Sequence, residues 1–111
     1  MYTYNVSLDR VVDGDTIDVI VDLGFFIMKK VRVRLLGVDA PETRTKDIEM
    51  KKAGIRAKEF VQVYLSQNPD SIEMKLVSKK LDSFGRALGH IYVNGEDLSE
   101  ILIKHGHAKP F

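Results

Sequence analysis

The chain of 111 residues is long enough for one domain with a substantial core and leaves little room for a second domain. It contains 17 Lys and Arg residues against 16 Asp and Glu residues, so the net charge of +1 predicts no bulk attraction to polyanions. Any nucleic-acid binding must then come from local clusters of charge. Because there is no cysteine, a disulfide framework, a thiol nucleophile and a thiolate zinc site are excluded.

The first third of the chain has the alternating pattern of β-strands. Residues 2–12, 15–23 and 26–36 are predicted strands. In the third of these, Arg32 and Arg34 share the face opposite the apolar one. The middle strand is expected to bury one face and expose the other to solvent. The buried face has Ile17, Val19, Val21 and Leu23, and the exposed face has Thr16, Asp18 and Asp22.

Charged residues are clustered in this part of the sequence. Lys29, Lys30, Arg32 and Arg34 follow one another closely, while acidic residues are concentrated in 9–22 and 39–49. A domain with basic and acidic zones side by side is suited to hold both a cation and a phosphate.

A polar segment from residue 39 to about residue 54 carries Pro41 and lacks a sustained period, so it is predicted to be a long loop, which is often functional. From 55 to 67 the apolar residues follow helical spacing, and the helix is expected to stop near Asn68 and Pro69.

The last third predicts two strands and a short helix. Residues 72–76 and 87–93 alternate, with a turn at 82–85 between them. Asp97 and Glu100 form a capping-box-like start for the helix, whose end is marked by Gly106.

The predicted order of elements along the chain is three strands, a helix, two strands and a helix. This order favours a β-barrel with helices, namely a closed five-stranded barrel of the OB type with a helix across one end, as a single domain over residues 1–111. An open α+β sheet is the alternative.

The segment Asp13-Gly14-Asp15-Thr16 raises the question of function. Taken alone, it predicts a hairpin turn or bulge rather than a metal site. Likewise, Asp39 before Ala-Pro is a common turn former, and a single loop glutamate such as Glu42 usually faces solvent. Each arginine could simply pair with an aspartate, which is the expectation for Arg32.

Taken together, however, four segments resemble the staphylococcal nuclease (thermonuclease) family, in order and spacing over nearly the whole chain. They are DGDT at 13–16, RLLGVDAPET at 34–43, the helix from about 55, and SFGRALGHIY at 83–92. The resemblance implies an OB-fold barrel of the staphylococcal nuclease type. It also implies a Ca2+-dependent endonuclease that hydrolyses DNA and RNA to 3′-phosphate and 5′-hydroxyl products.

The resemblance also implies a metal site. Asp15 and Asp39 would supply carboxylate oxygens to one Ca2+, with the backbone carbonyl of Ala40 near the metal, although family members often have threonine at that position. Oxygen ligands are those that this hard cation takes. Thr16 and Asp13 would lie beside these ligands and orient them.

Glu42, Arg34 and Arg86 match the family's catalytic residues. By resemblance, Glu42 takes a proton from the attacking water, while the two arginines grip the scissile phosphate. A guanidinium offers paired donors to phosphate oxygens and keeps its charge at any working pH.

Lys79 and Lys80 precede the Phe-Gly-Arg turn and, with Phe84, are the expected substrate contacts, the alternative being that both are ordinary surface lysines. Phe84 stands where a tyrosine is common, so a hydroxyl contact to the 5′ phosphate would be lost. The chain ends at Phe111, before the tyrosine-bearing segment of longer members, and the final helix is expected to be shortened or absent. Weaker substrate binding is therefore expected.

The alternative function is a catalytically weak or inactive OB module that binds nucleic acid or protein. The chain is expected to be a soluble monomer without signal peptide or membrane span, in an undetermined compartment, although family members are often secreted. His105 and His107 show no metal-ligand spacing and are expected to face solvent, while His90 is expected to pack at a rim.

Overall fold

The computed structural model describes residues 2–77 and 80–111. Within these ranges, eight strands and two helices follow one another along the chain. They are β1 (Tyr2–Asp13), β2 (Thr16–Asp22), β3 (Met28–Leu35), β4 (Val38–Asp39), α1 (Ile48–Gln67), β5 (Ile72–Leu76), β6 (Ala87–Val93), β7 (Glu96–Asp97), α2 (Leu98–Lys104) and β8 (Lys109–Pro110).

Five strands close into a barrel. Neighbouring strands run in the order β3-β2-β1-β5-β6 with antiparallel pairing. The parallel pairing of β3 with β6, from Val33 opposite Ala87 to Leu35 opposite Gly89, joins the two ends. The prediction of a closed OB-type barrel with helices, rather than an open sheet, is confirmed.

The barrel interior follows from the period of two in the strands. In β6, Ala87, Gly89, Ile91 and Val93 are buried and alternate with half-buried residues. The expectation that the polar face of β2 is exposed to solvent is wrong in part, because Asp18 is only 8% exposed.

Helix α1 is longer than the sequence predicted. It begins at Ile48 and not near residue 55, because the Asp47 side chain accepts hydrogen bonds from the backbone N–H groups of Glu49 and Met50 and caps the helix. The helix ends at Gln67, as predicted. No helix in the described ranges is both long and apolar enough to cross a bilayer.

Two glycines allow α1 to approach the barrel closely. A Cβ on Gly54 would lie 2.6 Å from the carbonyl oxygen of Glu42 and 2.8 Å from that of Pro41. A Cβ on Gly14 would lie 2.9 Å from the Cβ of Ala57. The helix therefore packs directly on the β1–β2 turn and on the loop that carries Glu42.

Candidate active site

Asp15 is the buried centre of the site. The turn from β1 into β2 places it beside the barrel wall, and it is only 6% exposed. Its Oδ1 accepts a hydrogen bond from Thr16 Oγ1 at 3.1 Å, and its Oδ2 accepts one from the backbone N–H of Ala40 at 2.9 Å. Both oxygens therefore have donors, as a buried carboxylate requires.

Arg34 connects Asp15 to Asp39. Its Nη2 lies 3.5 Å from Asp15 Oδ2 and 3.6 Å from Asp39 Oδ1. Its Nη1 donates to the carbonyl oxygens of Leu35, at 2.5 Å, and Val38, at 2.9 Å. The guanidinium is consequently held in one orientation at the end of β3, with two carboxylates on one side of it.

The two carboxylates differ in exposure. The side chain of Asp15 is 9% exposed and that of Asp39 is 60% exposed. Asp39 lies in β4, where it is paired with Lys109 of β8. One acidic group is therefore fixed by its surroundings, whereas the other can adjust to a ligand that arrives from solvent.

Glu42 faces a pocket of about 710 Å3 next to this cluster. The pocket is lined by the loop after β4, by the first turns of α1 and by the segment after α2, with Asp39, Ala40 and Glu42 on one side and Met50 and His107 among the other lining residues. Glu42 itself is exposed. A substrate in this pocket would have both Asp39 and Glu42 on its wall.

Thr43 is a residue that the sequence reasoning missed. Asp13 Oδ1 accepts hydrogen bonds from the Thr43 hydroxyl at 2.9 Å and from its backbone N–H at 3.2 Å. Because Thr43 follows Glu42, these bonds tie the loop of Glu42 to the β1–β2 turn. The only signal in the sequence was the PET triplet itself, since nothing local shows which carboxylate a loop threonine will meet.

Arg86 directly precedes β6, the strand that pairs with β3. Its Nε donates to Asp82 Oδ2 at 2.8 Å, and its guanidinium carbon lies 5.2 Å from the centre of the Phe84 ring. The backbone N–H of Arg86 and the guanidinium both donate to Asp82, and these bonds hold the pKa of that carboxyl below its usual value. Arg86 is therefore positioned by its own turn, and its described contacts are not with Asp15, Asp39 or Glu42.

Arg32 has the structural role that was expected of it. It binds Asp18 with two nitrogens, at 2.8 and 3.1 Å, and Arg10 Nε lies 3.7 Å from the same carboxylate. The hydrogen bond from Arg32 lowers the pKa of Asp18, against the opposing effect of burial. This ion pair explains why an aspartate can be buried on β2.

The remaining predicted contacts are on or near the surface. Lys80 is exposed and Phe84 is 81% exposed, while Lys79 lies outside the described residues. The expectation that His107 faces solvent is wrong, because it is half-buried with its ring centre 4.6 Å from that of Phe60. Burial, followed by repulsion from His105, lowers the pKa of His107.

The donor chemistry of the cluster fits a hard cation. In the described part of the chain, no group of three or more His, Cys, Asp or Glu residues is close enough to hold a metal ion. Asp15 and Asp39 nevertheless direct carboxylate oxygens at the same Arg34 nitrogen, so both already face one positive charge. Carboxylate oxygens suit Ca2+, which fills its other positions with water or phosphate oxygens.

A closed barrel of five strands with two helices places this chain among the OB-type barrels. The sequence profile described as Staphylococcal nuclease homologue matches residues 32–111, and the chain belongs to that family.

Three curated relatives agree with this assignment. The chain is 35% identical to Endonuclease YncB of Bacillus subtilis over 105 residues, which are 95% of this chain and 47% of the relative. It is 33% identical to Endonuclease YhcR of the same organism over 97% of this chain and 9% of the relative. It is 32% identical to Thermonuclease of Staphylococcus hyicus over 96% of this chain and 58% of the relative. The chain thus spans about half or less of the length of the first two relatives and under two thirds of the third.

Proposed function

We propose that this domain is a Ca2+-dependent nuclease that hydrolyses phosphodiester bonds of DNA and RNA and leaves 3′-phosphate and 5′-hydroxyl ends. The observation that carries the proposal is the convergence of Asp15, Arg34 and Asp39 within 3.6 Å contacts beside the pocket of Glu42. Relatives named as endonucleases and thermonuclease support the reaction class.

Asp15, Asp39 and the carbonyl of Ala40 would hold the Ca2+. When bound, the ion would supply positive charge to a phosphate oxygen in the pocket. Asp15 is kept in place by Thr16 and by the Ala40 N–H, so it would hold its position when substrate arrives. Asp39 is exposed and would complete the ligand set by a small side-chain adjustment.

Arg34 would bind the phosphate undergoing attack. Its Nη1 is committed to two backbone carbonyls, whereas its Nη2 faces the carboxylates at the longer distances of 3.5 and 3.6 Å. Those longer contacts are weaker than a hydrogen bond of ideal length, so Nη2 can exchange them for a phosphate oxygen. The fixed charge then stabilises the extra negative charge that develops on phosphorus in the transition state.

Glu42 would act as the general base. Its carboxylate accepts a proton from a water molecule, and the water oxygen bonds to phosphorus. The bond from phosphorus to the 5′ oxygen breaks on the opposite side, and the departing oxygen takes a proton from solvent to become the 5′-hydroxyl. A positioned base of this kind contributes about a hundred- to ten-thousandfold in rate. Asp13 and Gly54 would position Glu42 through its loop. Asp13 binds Thr43, the next residue, and Gly54 leaves room for the Glu42 carbonyl.

Digestion of plasmid DNA and of an RNA transcript, with Ca2+ and with chelator, tests the proposal. The parent should cleave both with Ca2+ and neither with chelator, and the product ends should carry 3′-phosphates. Glu42→Gln should cleave about a hundredfold or more slowly. Glu59→Gln, an equal change at an exposed position on α1, should cleave like the parent.

Two results would contradict the proposal. Cleavage that is unchanged by chelator, or equal in the parent and Glu42→Gln, would remove the assigned roles. Binding of nucleic acid without cleavage at any Ca2+ concentration would instead identify a non-catalytic binding module.

A further inference from the structure

The turn between β2 and β3 carries an unusual set of exposed apolar side chains. Phe25 is 92% exposed and Phe26 is 103% exposed, and Leu23, Ile27 and Met28 are between 44% and 62% exposed. We call residues 23–28 the hairpin tip. Scattered exposed apolar residues are common, but five in one short turn mark a contact surface.

The backbone of the hairpin tip is also unfavourable for its residues. Gly24, Phe25 and Phe26 all have positive φ, at 81°, 54° and 63°, and the Ile27 N–H donates to the Gly24 carbonyl at 2.9 Å. A hairpin turn with two central residues of positive φ normally contains Asn-Gly, because most side chains are strained there. Phenylalanine at both positions is therefore not explained by the folding of the hairpin.

A row of cationic side chains leads from the hairpin tip to the candidate active site. Lys30, Arg32 and Arg34 are alternate residues of β3 and thus share one face of the strand. Lys30 and Arg32 are 66% and 43% exposed, and their acidic partners are Asp9, at 3.3 Å, and Asp18. From Arg34 to Met28 the row is about 20 Å long, at about 3.3 Å per residue.

Exposed aromatic rings joined to a line of cations suit a single-stranded nucleic acid. Proteins that bind such strands stack bases on aromatic side chains and follow the phosphates with positive charge. A lipid surface would also accept apolar residues with lysines behind them. However, it is planar and would meet only the cations beside the tip, whereas this row runs along β3 away from the tip to the cluster of Arg34.

We propose that the hairpin tip is a base-stacking platform for the single-stranded substrate, with its near edge at Met28 about 20 Å from the Arg34 that would bind the scissile phosphate. Phe25 and Phe26 would take bases, while Lys30 and Arg32 would contact the intervening phosphates. This inference rests on the proposed function, because it assigns the remote part of the strand that the candidate active site cleaves. At about 3.4 Å per nucleotide in a stacked strand, the platform is reached only by substrates of about six nucleotides or more.

The double variant Phe25→Asn, Phe26→Gly tests the platform and is not expected to destabilise the fold. Asn-Gly is the preferred pair for this turn, so the variant should unfold at the same or a higher denaturant concentration than the parent. Its affinity for a fluorescent DNA strand of about 16 nucleotides, measured in chelator so that no cleavage occurs, should fall at least about fivefold. With Ca2+, its cleavage of a trinucleotide should be unchanged, and its cleavage of the longer strand should slow through a higher KM.

The matched control is Val63→Ser, which removes an exposed apolar side chain from α1 and should bind the longer strand like the parent. Unchanged strand binding by the double variant, or equal losses in the double variant and the control, would overturn the platform. Loss of binding to anionic lipid vesicles with unchanged strand binding would also overturn it and assign the tip to a membrane surface. Strand binding is measured without Ca2+ and needs no cleavage. The double variant can therefore show a loss of binding even if the protein proves to have no nuclease activity.

Discussion

Asp15 and Asp39 carry the same functional group in different surroundings. Asp15 is buried with donors on both oxygens, whereas Asp39 is mostly exposed and contacts Arg34 at 3.6 Å. The resemblance to the staphylococcal nuclease family implied that both are metal ligands, and that role stays a prediction. The contrast between them could not be predicted, because it depends on the Ala40 N–H, which reaches Asp15 from a segment 25 positions away.

Asp18 should make the stability of the domain sensitive to acid. Its pKa is lowered in the folded state by the hydrogen bond from Arg32, so the folded protein favours the ionised form. The resulting stabilisation is present above the ordinary pKa, 3.8, and is lost as the pH falls below that value through the folded-state pKa. Asp18→Asn should therefore lower the free energy of unfolding at pH 7, and the difference from the parent should shrink below about pH 4.

Urea unfolding at pH 7 and at pH 3 measures this effect. Asp70→Asn, at an exposed position in the turn before β5, is the control and should follow the parent at both pH values. A difference between Asp18→Asn and the parent that is as large at pH 3 as at pH 7 would show that packing, and not the ion pair, accounts for the loss.

Helix α1 was predicted from apolar periodicity only in its C-terminal part. The buried residues Ala57, Val61 and Leu65 gave the pattern from which its C-terminal part was predicted. The first turns have exposed residues on most sides, so they carry no apolar period, and the Asp47 cap was the remaining signal. The missed turns matter because they form one wall of the pocket that Glu42 faces.

Gly54→Ala should disturb the candidate active site through the helix. Alanine would gain about 1 kcal/mol in helix propensity. The added Cβ, however, would lie 2.6 Å from the Glu42 carbonyl oxygen, and backbone atoms cannot rotate away. Helix and loop must therefore separate, and cleavage of DNA should slow by up to about a hundredfold as Glu42 moves.

Cleavage rates and urea unfolding of Gly54→Ala should be compared with those of Lys52→Ala, an exposed position on the same helix. The control should match the parent in both. Full activity in Gly54→Ala would mean that the loop position does not matter for catalysis.

Closure of the barrel brings the distant segments together. The parallel pairing of Arg34 with Leu88 places the end of β3 beside the start of β6, and the β4–β8 pairing brings Lys109 to Asp39. The order of elements predicted the barrel. It did not predict the β4–β8 pairing, because two-residue strands have no readable period, nor the exposed hairpin tip, because apolar residues in a strand pattern indicate burial.

We propose that one compact cluster binds a cation through Asp15 and Asp39. Calorimetric titration with Ca2+ tests it directly, using the parent, Asp39→Asn and the exposed control Asp70→Asn. We expect the parent and the control to bind one Ca2+ per chain, and Asp39→Asn to bind it at least about tenfold more weakly, since this variant loses one of few protein ligands. A parent that binds no Ca2+, or equal binding by all three proteins, would rule out a Ca2+ site at Asp15 and Asp39.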